Sequence, residues 1–230
     1  MTIDEMSNEF DNELFKLYET GVTSTPIQLD EYEKSVYLTK AQEAIVDSLY
    51  AEYDSTELVR RQLHKLVCKS HNEIMGSTDF MGYSKYNVSF DSMDIKAILQ
   101  EYATLSTDCS EIILYGVPIK QDELIKVLKN PFRCPNDNRV LRIEDTGIMK
   151  NITLLCKKFN LTKNVLKYDI IYLRNPKPII LTKLNNITIS GTDVKSTSID
   201  LSADLHRKII DIAVTMVLAG LNNKKSNKDT

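Results

Sequence analysis

Glycine is scarce in this 230-residue chain, seven in all, and none falls into a GxxxxGK[ST] or GxGxxG arrangement. Without such glycines no loop of either kind can wrap its amides around a phosphate, which excludes nucleotide binding by those motifs. Histidine is scarcer, with three residues and no GxSxG elbow beside them, so the usual signature of a nucleophile held next to its base is missing. The four cysteines, Cys68, Cys109, Cys134 and Cys156, form no CxxC pair; scattered in this way they are expected to be free, buried thiols in a reducing compartment. Long apolar runs are absent too. The longest near the C-terminus, residues 209–221, contains Asp211 and Thr215 and is too short to span a bilayer. The polar, acidic start MTIDEMSNEF is no signal or transit peptide, and a soluble protein is expected.

Net charge is nearly absent as well, with 29 Lys and Arg against 32 Asp and Glu, or −3 overall. A dedicated nucleic-acid binder would carry a clear basic excess. The average conceals a split. Residues 1–54 hold 13 acids and 3 bases, a net of −10, while residues 55–230 hold 19 acids and 26 bases, a net of +7. Two surfaces of opposite sign follow, either solvated or turned toward differently charged partners, further copies of the chain included. With 42% hydrophobic and 27% charged residues, the composition is that of a globular chain of one or two domains.

Apolar spacing predicts helices at both ends and a strand-rich middle. Phe10, Leu14, Leu17 and Tyr18 mark one face of a helix over residues 3–20, ended by Gly21. A long helix follows over 29–53, with Leu38, Ala41, Ile45 and Leu49 in one stripe and Val46, Tyr50 and Tyr53 in a second. A surface helix buries one face, so two rows require two neighbours, in the same subunit or across an interface. Ser55 and Thr56 can cap a third helix reaching residue 74. Beyond the irregular loop MGSTDFMGYSKYN, β-prone runs occur at 86–90, 111–117, 139–144, 167–173, 178–181 and 187–189, with helical pieces at 93–102 and 121–129 between them. A last helix starts near Ser202 and ends near Gly220, with Leu205, Ile209, Ile212 and Met216 along its main stripe. The fold class is α+β, with N-terminal helices, a mixed short-strand region and a buried C-terminal helix. The expected regions are an N-terminal helical one at 1–76, a mixed one at 77–221 and a disordered tail at 222–230.

His64, Cys68 and His71 stand at i, i+4 and i+7 of the predicted third helix, a spacing that puts two or three zinc ligands on one face. No fourth ligand is indicated, and Arg60, Arg61 and Lys65 crowd that face with positive charge. A polar surface is the preferred reading, and no metal or other cofactor is assigned. His206 reads as a half-buried helix residue near Asp204, not a base. No carboxylates pair for acid–base work, so no catalytic residue is assigned and the chain is read as non-enzymatic. Basic side chains gather at Lys126, Lys129, Arg133, Arg139 and Arg142, and again at Lys150, Lys157, Lys158, Lys163 and Lys167. They form either a solvated face or one that meets a partner or lines a DNA passage. Leu38, Ile45, Tyr50, Tyr53, Ile179, Ile180, Ile209 and Met216 are the candidate subunit contacts.

Three segments carry a likeness to a known family. VYLTKAQE (36–43), YDIIYLRNPKPIILTKL (168–184) and LHRKIIDIAV (205–214) occur in this order, which resembles the ring or adaptor virion proteins of the portal–tail (head-to-tail) connector in crAss-like bacteriophages. The resemblance covers residues 27–221 and includes no catalytic signature. It implies a homo-oligomeric ring, dodecameric to match a portal, around a channel for genome passage and ejection. Implied partners are further copies of the chain, the portal protein, adjacent tail ring or tail proteins and, non-specifically, genomic DNA; no membrane is implied. The implied location is the virion, after synthesis in the host cytoplasm. Competing readings are another tail or cargo component of the same particle, and a cytosolic phage enzyme, DNA-binding protein or regulator.

Overall fold

A computed structural model describes every residue except 24–25, 76, 91–93, 107–110, 145–150, 159–164, 185–186 and 227–230. The chain forms two compact units, one of Met1–Leu66 with Asn175–Thr230 and one of Val67–Arg174. The second is an insertion in the sequence of the first.

The first unit is helical. Helix α1 (Ile3–Glu19) opens on a reciprocal cap, in which Thr2 accepts from the Glu5 amide at 3.2 Å and Glu5 accepts from the Thr2 amide at 2.7 Å. It ends at Gly21, whose φ of 72° suits a residue without a Cβ; the Gly21 amide donates to Tyr18 and that of Val22 to Leu17. Ile3, Met6, Phe10 and Leu14 are buried. The expected face is therefore rotated, because Leu17 is half-buried and Tyr18 is exposed. Helix α2 (Glu31–Ala51) carries the same kind of cap, from Asp30 and Glu33. Helix α3 (Glu57–Leu63) begins at Thr56, as its capping chemistry predicts. Helix α5 (His206–Ser226), entered through a 3-10 turn at Ala203–Leu205, packs against α1 and α2.

Along the other side of α2 runs an extended segment, residues 177–181, that belongs to no sheet. Buried peptide groups need partners, and here side chains supply them. Leu181 N donates to Ser35 Oγ at 3.0 Å, Ile179 N to Thr39 Oγ1 at 3.1 Å, and Gln42 Nε2 donates to Lys177 O at 2.8 Å. Ser35, Thr39 and Gln42 stand at i, i+4 and i+7 of the helix, and they meet alternate residues of the strap. Its opposite edge is held by Ser196, which accepts from Ile180 N at 2.9 Å and donates to Pro178 O at 2.9 Å, and by Asp200, which accepts from Lys177 N at 2.8 Å. The first row expected on α2 and Val46 of the second are thus buried within one subunit, where the helix packs against α5 and holds the strap. Of the outer row, Tyr50 is exposed and Tyr53 half-buried. Nearby, the strand-like run at 187–189 amounts to one bridge, Ile189 to Thr192.

The second unit is a sheet of eight strands: β1 (Val67–Met75), β2 (Thr78–Phe80), β3 (Tyr83–Ser89), β4 (Ile95–Ser106), β5 (Glu111–Ile119), β6 (Arg139–Glu144), β7 (Asn151–Lys157) and β8 (Val165–Arg174). Their order is β1-β8-β4-β5-β6-β7-β3-β2, antiparallel throughout except for β5–β6. A parallel pair requires a crossover. Residues 120–138 provide it, and their short helix α4 (Leu124–Leu128) lays Leu124 and Val127 over Ile119, Leu141 and Ile143 on the outer face. On the inner face, alternate residues such as Val88, Phe90, Leu154, Tyr168 and Ile170 share one cluster. Strands distant in the order contribute to it, so the sheet curls around its own core. The loop expected near residue 80 is instead a hairpin, turning at Met81 and Gly82 with φ of 53° and 85°, the positive pair of a type I′ turn.

Two predicted helices are strands. The third helix stops at Leu63 instead of residue 74 and the chain becomes β1; the piece at 93–102 is β4 over its described part. Helix propensities differ by only tenths of a kcal/mol per residue, ~0.5 at most for these types. Pairing with β8 from Ile95 to Ser106 gives β4 its hydrogen-bond ladder, β5 adds a second one from Tyr102 onward, and Ala97, Ala103 and Leu105 are buried, which outweighs that preference.

Thr39 carries both polar groups of Ile179, so Thr39→Val is expected to lower stability by about 1–3 kcal/mol in urea unfolding. Thr39→Ser keeps the hydroxyl and should lose less than about 1 kcal/mol; equal losses would mean that the strap bonds contribute nothing.

Candidate interaction surfaces

The candidate subunit contacts fall into two groups. Leu38, Ile45, Ile179, Ile180 and Ile209 are at most 1% exposed, closed off inside the first unit. Aspartate at Ile179 or Ile180 would break the subunit before it tested any contact between subunits. Tyr50 is exposed, and Tyr53 and Met216 are half-buried, so these three keep surface for a neighbour.

The face proposed for His64, Cys68 and His71 does not exist, because the helix ends before it. His64 Nδ1 sits 2.6 Å from the Arg61 carbonyl in the turn after α3, whereas His71 Nδ1 lies 2.6 Å from Asp169 on β8. That carboxylate, with a smaller contribution from Glu73, raises the His71 pKa. Among the described residues no group of three His, Cys, Asp or Glu is placed to hold a metal ion. Cys68, Cys134 and Cys156 are free, and burial pushes the Cys156 thiol up to about 12; Cys109 lies outside the described residues.

His206 is buried, with Nε2 3.2 Å from the Leu201 carbonyl and Nδ1 without a hydrogen-bond partner. Burial lowers its pKa below the ordinary 6.5, the N-terminal ammonium and Lys65 add to that, and the Leu201 carbonyl and Asp204 oppose it. The unfolded chain therefore takes up the proton first, and stability present above pH 6.5 is lost as pH falls below it. Melting of the wild type should drop more between about pH 7.5 and about pH 5.5 than that of His206→Gln; matching drops would contradict the assignment.

The basic residues divide as well. Lys126, Lys129 and Arg133 are exposed around α4, Arg133 at 4.0 Å from Glu123. Lys157 pairs with Asp137 at 2.8 Å and Lys158 with Asp79 at 2.5 Å. Lys150 and Lys163 lie outside the described residues. Arg142 is not on a surface at all: it points into the curled sheet, where Nε meets Glu101 Oε2 at 2.9 Å and the Tyr168 hydroxyl donates to the same carboxylate. Both charged side chains are at most 7% exposed. Glu101 lies across Gly116 of β5, where a Cβ would collide with it. The sequence signal for this cluster is that lone glycine within a strand run, since such glycines mark close approach.

Removing one partner of a buried pair strands the other charge. Arg142→Met is expected to cost about 3–5 kcal/mol, and Arg142→Met with Glu101→Leu to regain most of it; a double variant as unstable as the single one in chemical denaturation would refute the pairing.

Sequence reasoning singled out Arg139 and His71 but not the surface they share. On the outer sheet face, His71, Asp169, Tyr102, Tyr115 and Arg139 stand in one cross-strand row from β1 to β6. The outer row of β5 is Ile119, Val117, Tyr115 and Ile113. Ile119 and Val117 join the cluster beneath α4, while Tyr115 and Ile113 are 65% and 56% exposed. Arg139 borders Tyr115 and also donates to the carbonyl of Phe132, itself 85% exposed. Ile113 and Tyr115 on β5, and Phe132 held beside them through Arg139, thus expose apolar and aromatic surface next to a guanidinium group, a composition typical of protein contacts.

The family described as phage tail ring protein 3/4 matches residues 1–229. Ring protein 3 of Bacteroides phage crAss001 is 32% identical over 243 aligned positions, covering all of both chains. Ring protein 4/5 of the same phage is 27% identical over 233 positions, covering 95% of this chain and 93% of that protein. Both matches take in the helical unit and the inserted sheet alike. No helix among the described residues is long and apolar enough to cross a membrane. The chain belongs to the phage tail ring protein family.

Proposed function

We propose that twelve copies of this chain close into a ring that joins the portal to the tail of a short-tailed phage and surrounds the path of the genome. The observation that carries this reading is the whole-length match to tail ring proteins, which includes both folded units. Its mechanism is assembly without turnover. The partners are neighbouring copies, the portal protein, adjacent tail rings and, non-specifically, DNA in passage. The chain is made in the host cytoplasm and ends in the virion.

The surface residues support distinct roles in such a ring. Tyr50, Tyr53 and Met216 offer contacts on the helical unit. Lys126 and Lys129 are the cations best suited to a channel or a neighbouring ring, since Lys157 and Lys158 already face carboxylates and Arg142 is buried. A few exposed lysines attract the phosphate backbone without gripping it, and weak contact is what a passage requires. Cryo-electron microscopy of the particle tests the proposal. The expected map shows this fold in a twelve-fold ring between portal and tail, whereas density for it in another part of the virion would favour a different tail or cargo role.

A further inference from the structure

The ring reading leaves open how one copy holds the next. A closed ring of identical chains uses a heterologous contact, in which each copy presents two different patches and each patch meets its complement on a neighbour. Among the exposed apolar side chains, two aromatic groups, one on each unit, suit such a contact. The first is the sheet patch of Ile113, Tyr115 and Phe132. The second is at the end of α1, where Phe15 and Tyr18 lie with ring centres 6.2 Å apart and Phe15 is 53% exposed, followed by exposed Val22 in the capping turn.

Their electrostatic settings are opposite. Helix α1 holds six carboxylates, Asp4, Glu5, Glu9, Asp11, Glu13 and Glu19, against the single base Lys16. Asp11 and Glu19 stand one turn before and one turn after Phe15. Around the sheet patch the bases Lys129, Arg133, Arg139 and Lys167 exceed the acids, with Glu123 at 4.0 Å from Arg133 and Glu111, next after Ile113 on its row, at 3.8 Å from Lys167. The same contrast holds for whole units: 19 acids and 14 bases in the helical one, a net of −5, and 13 acids and 15 bases in the inserted one, a net of +2. An apolar centre with a charged rim of the opposite sign is the complementarity that steers two surfaces together and sets their register.

Resting on the ring reading, we infer that the aromatic sheet patch of one copy, Ile113, Tyr115 and Phe132, receives the Phe15–Tyr18 end of α1 from the next copy. Arg133 and Arg139 lie against the acidic flank of that helix. The contact is head-to-tail, so it repeats around the ring without using up either patch. Its centre is aromatic, the type of side chain that dominates interface energies when sheltered from water by a polar rim.

A double-mutant cycle on the full-length chain tests this, with self-association followed by sedimentation and mass photometry. Phe132→Ala with Tyr115→Ala, and separately Phe15→Ala with Tyr18→Ala, should each weaken assembly by about 30-fold or more. All four residues are at least 39% exposed, so melting temperature and circular dichroism should stay near those of the wild type. If the patches touch each other, the fourfold variant loses little beyond either pair, because the second pair has nothing left to contact. Fully additive losses, or a wild-type constant in either pair, would overturn the inference while leaving the ring intact. A wild type that stays monomeric at all concentrations would instead remove the ring reading, and this contact with it.

Discussion

Residues 177–181 of this protein lie along a helix with no sheet to join and bury Ile179, Ile180 and Leu181, and much of the helical unit depends on how their peptide groups are satisfied. A β-strand satisfies its peptide groups from its neighbours. Residues 177–181 satisfy theirs from a row of helix side chains on one edge and from Ser196 and Asp200 on the other. Each hydroxyl in the arrangement works as donor and acceptor at once. Ser35 donates to the Glu31 carbonyl and accepts from Leu181, and Thr39 both accepts from Ile179 N and donates to its carbonyl. The topology makes this necessary. The inserted sheet separates Leu66 from Asn175 in the chain, so the helical unit must be completed by a segment that returns from far away in sequence. A strap fastened by side-chain bonds, with Ile179, Ile180 and Leu181 in the core, gives that return a defined register.

The sheet faces the same requirement in a charged form. A polar trio of Glu101, Arg142 and Tyr168 sits where apolar residues would pack more simply. Such pairs add little net stability compared with a hydrophobic replacement, and their attested use is to favour one arrangement over its competitors. In an antiparallel sheet a slip of one residue turns every side chain to the opposite face. Here a slip would carry Arg142 or Glu101 away from its partner and move Glu101 off the glycine that makes room for it. The ion pair therefore penalises the wrong registers of β4, β5 and β6, in addition to the apolar inner face that a slip would turn outward.

How much of this was legible in the sequence depended on whether the signal was local. Capping chemistry and periodic apolar residues placed α1, α2 and the start of α3, and the run at 202–220 anticipated α5. Strands β3, β5, β6 and β8 were readable from their β-branched and aromatic runs. The segments that failed, 64–74 and 93–102, have compositions compatible with either structure, and only the ladders offered by β8 and β5 decided the outcome. PKPIIL was recognisable as a family mark, but its role was hidden, because Ser35, Thr39 and Gln42 look like ordinary polar residues of an exposed helix face. Ile179 and Ile180, expected at a subunit contact, belong to the core, whereas Phe132 and Tyr115, which no pattern singled out, stand in solvent. Hydrophobicity alone does not tell a core from an interface. Only the fold shows which apolar side chains have already found their partners.

The charge split ends with a different meaning from the one it has along the chain. Divided at residue 54 it separates an acidic start from a basic remainder. The folded units redistribute it, because residues 175–230 return basic side chains to the acidic helices. Part of that contrast is consumed internally, as Lys195 bonds Asp4 at 2.6 Å and Lys34 bonds Asp11 at 2.7 Å. Burial disfavours the Lys34 ammonium, yet its two carboxylates, Asp11 and Glu31, outweigh that and raise its pKa. What remains outside after this pairing is an acidic helix end beside exposed aromatic rings on one unit and guanidinium groups beside exposed aromatic rings on the other. A chain that only needed to be soluble would gain nothing from leaving Phe15, Tyr115 and Phe132 uncovered, since each exposed ring invites non-specific association. In a subunit whose fold completes itself without them, and whose family builds rings, such residues are best understood as the part of the core that a single copy cannot close.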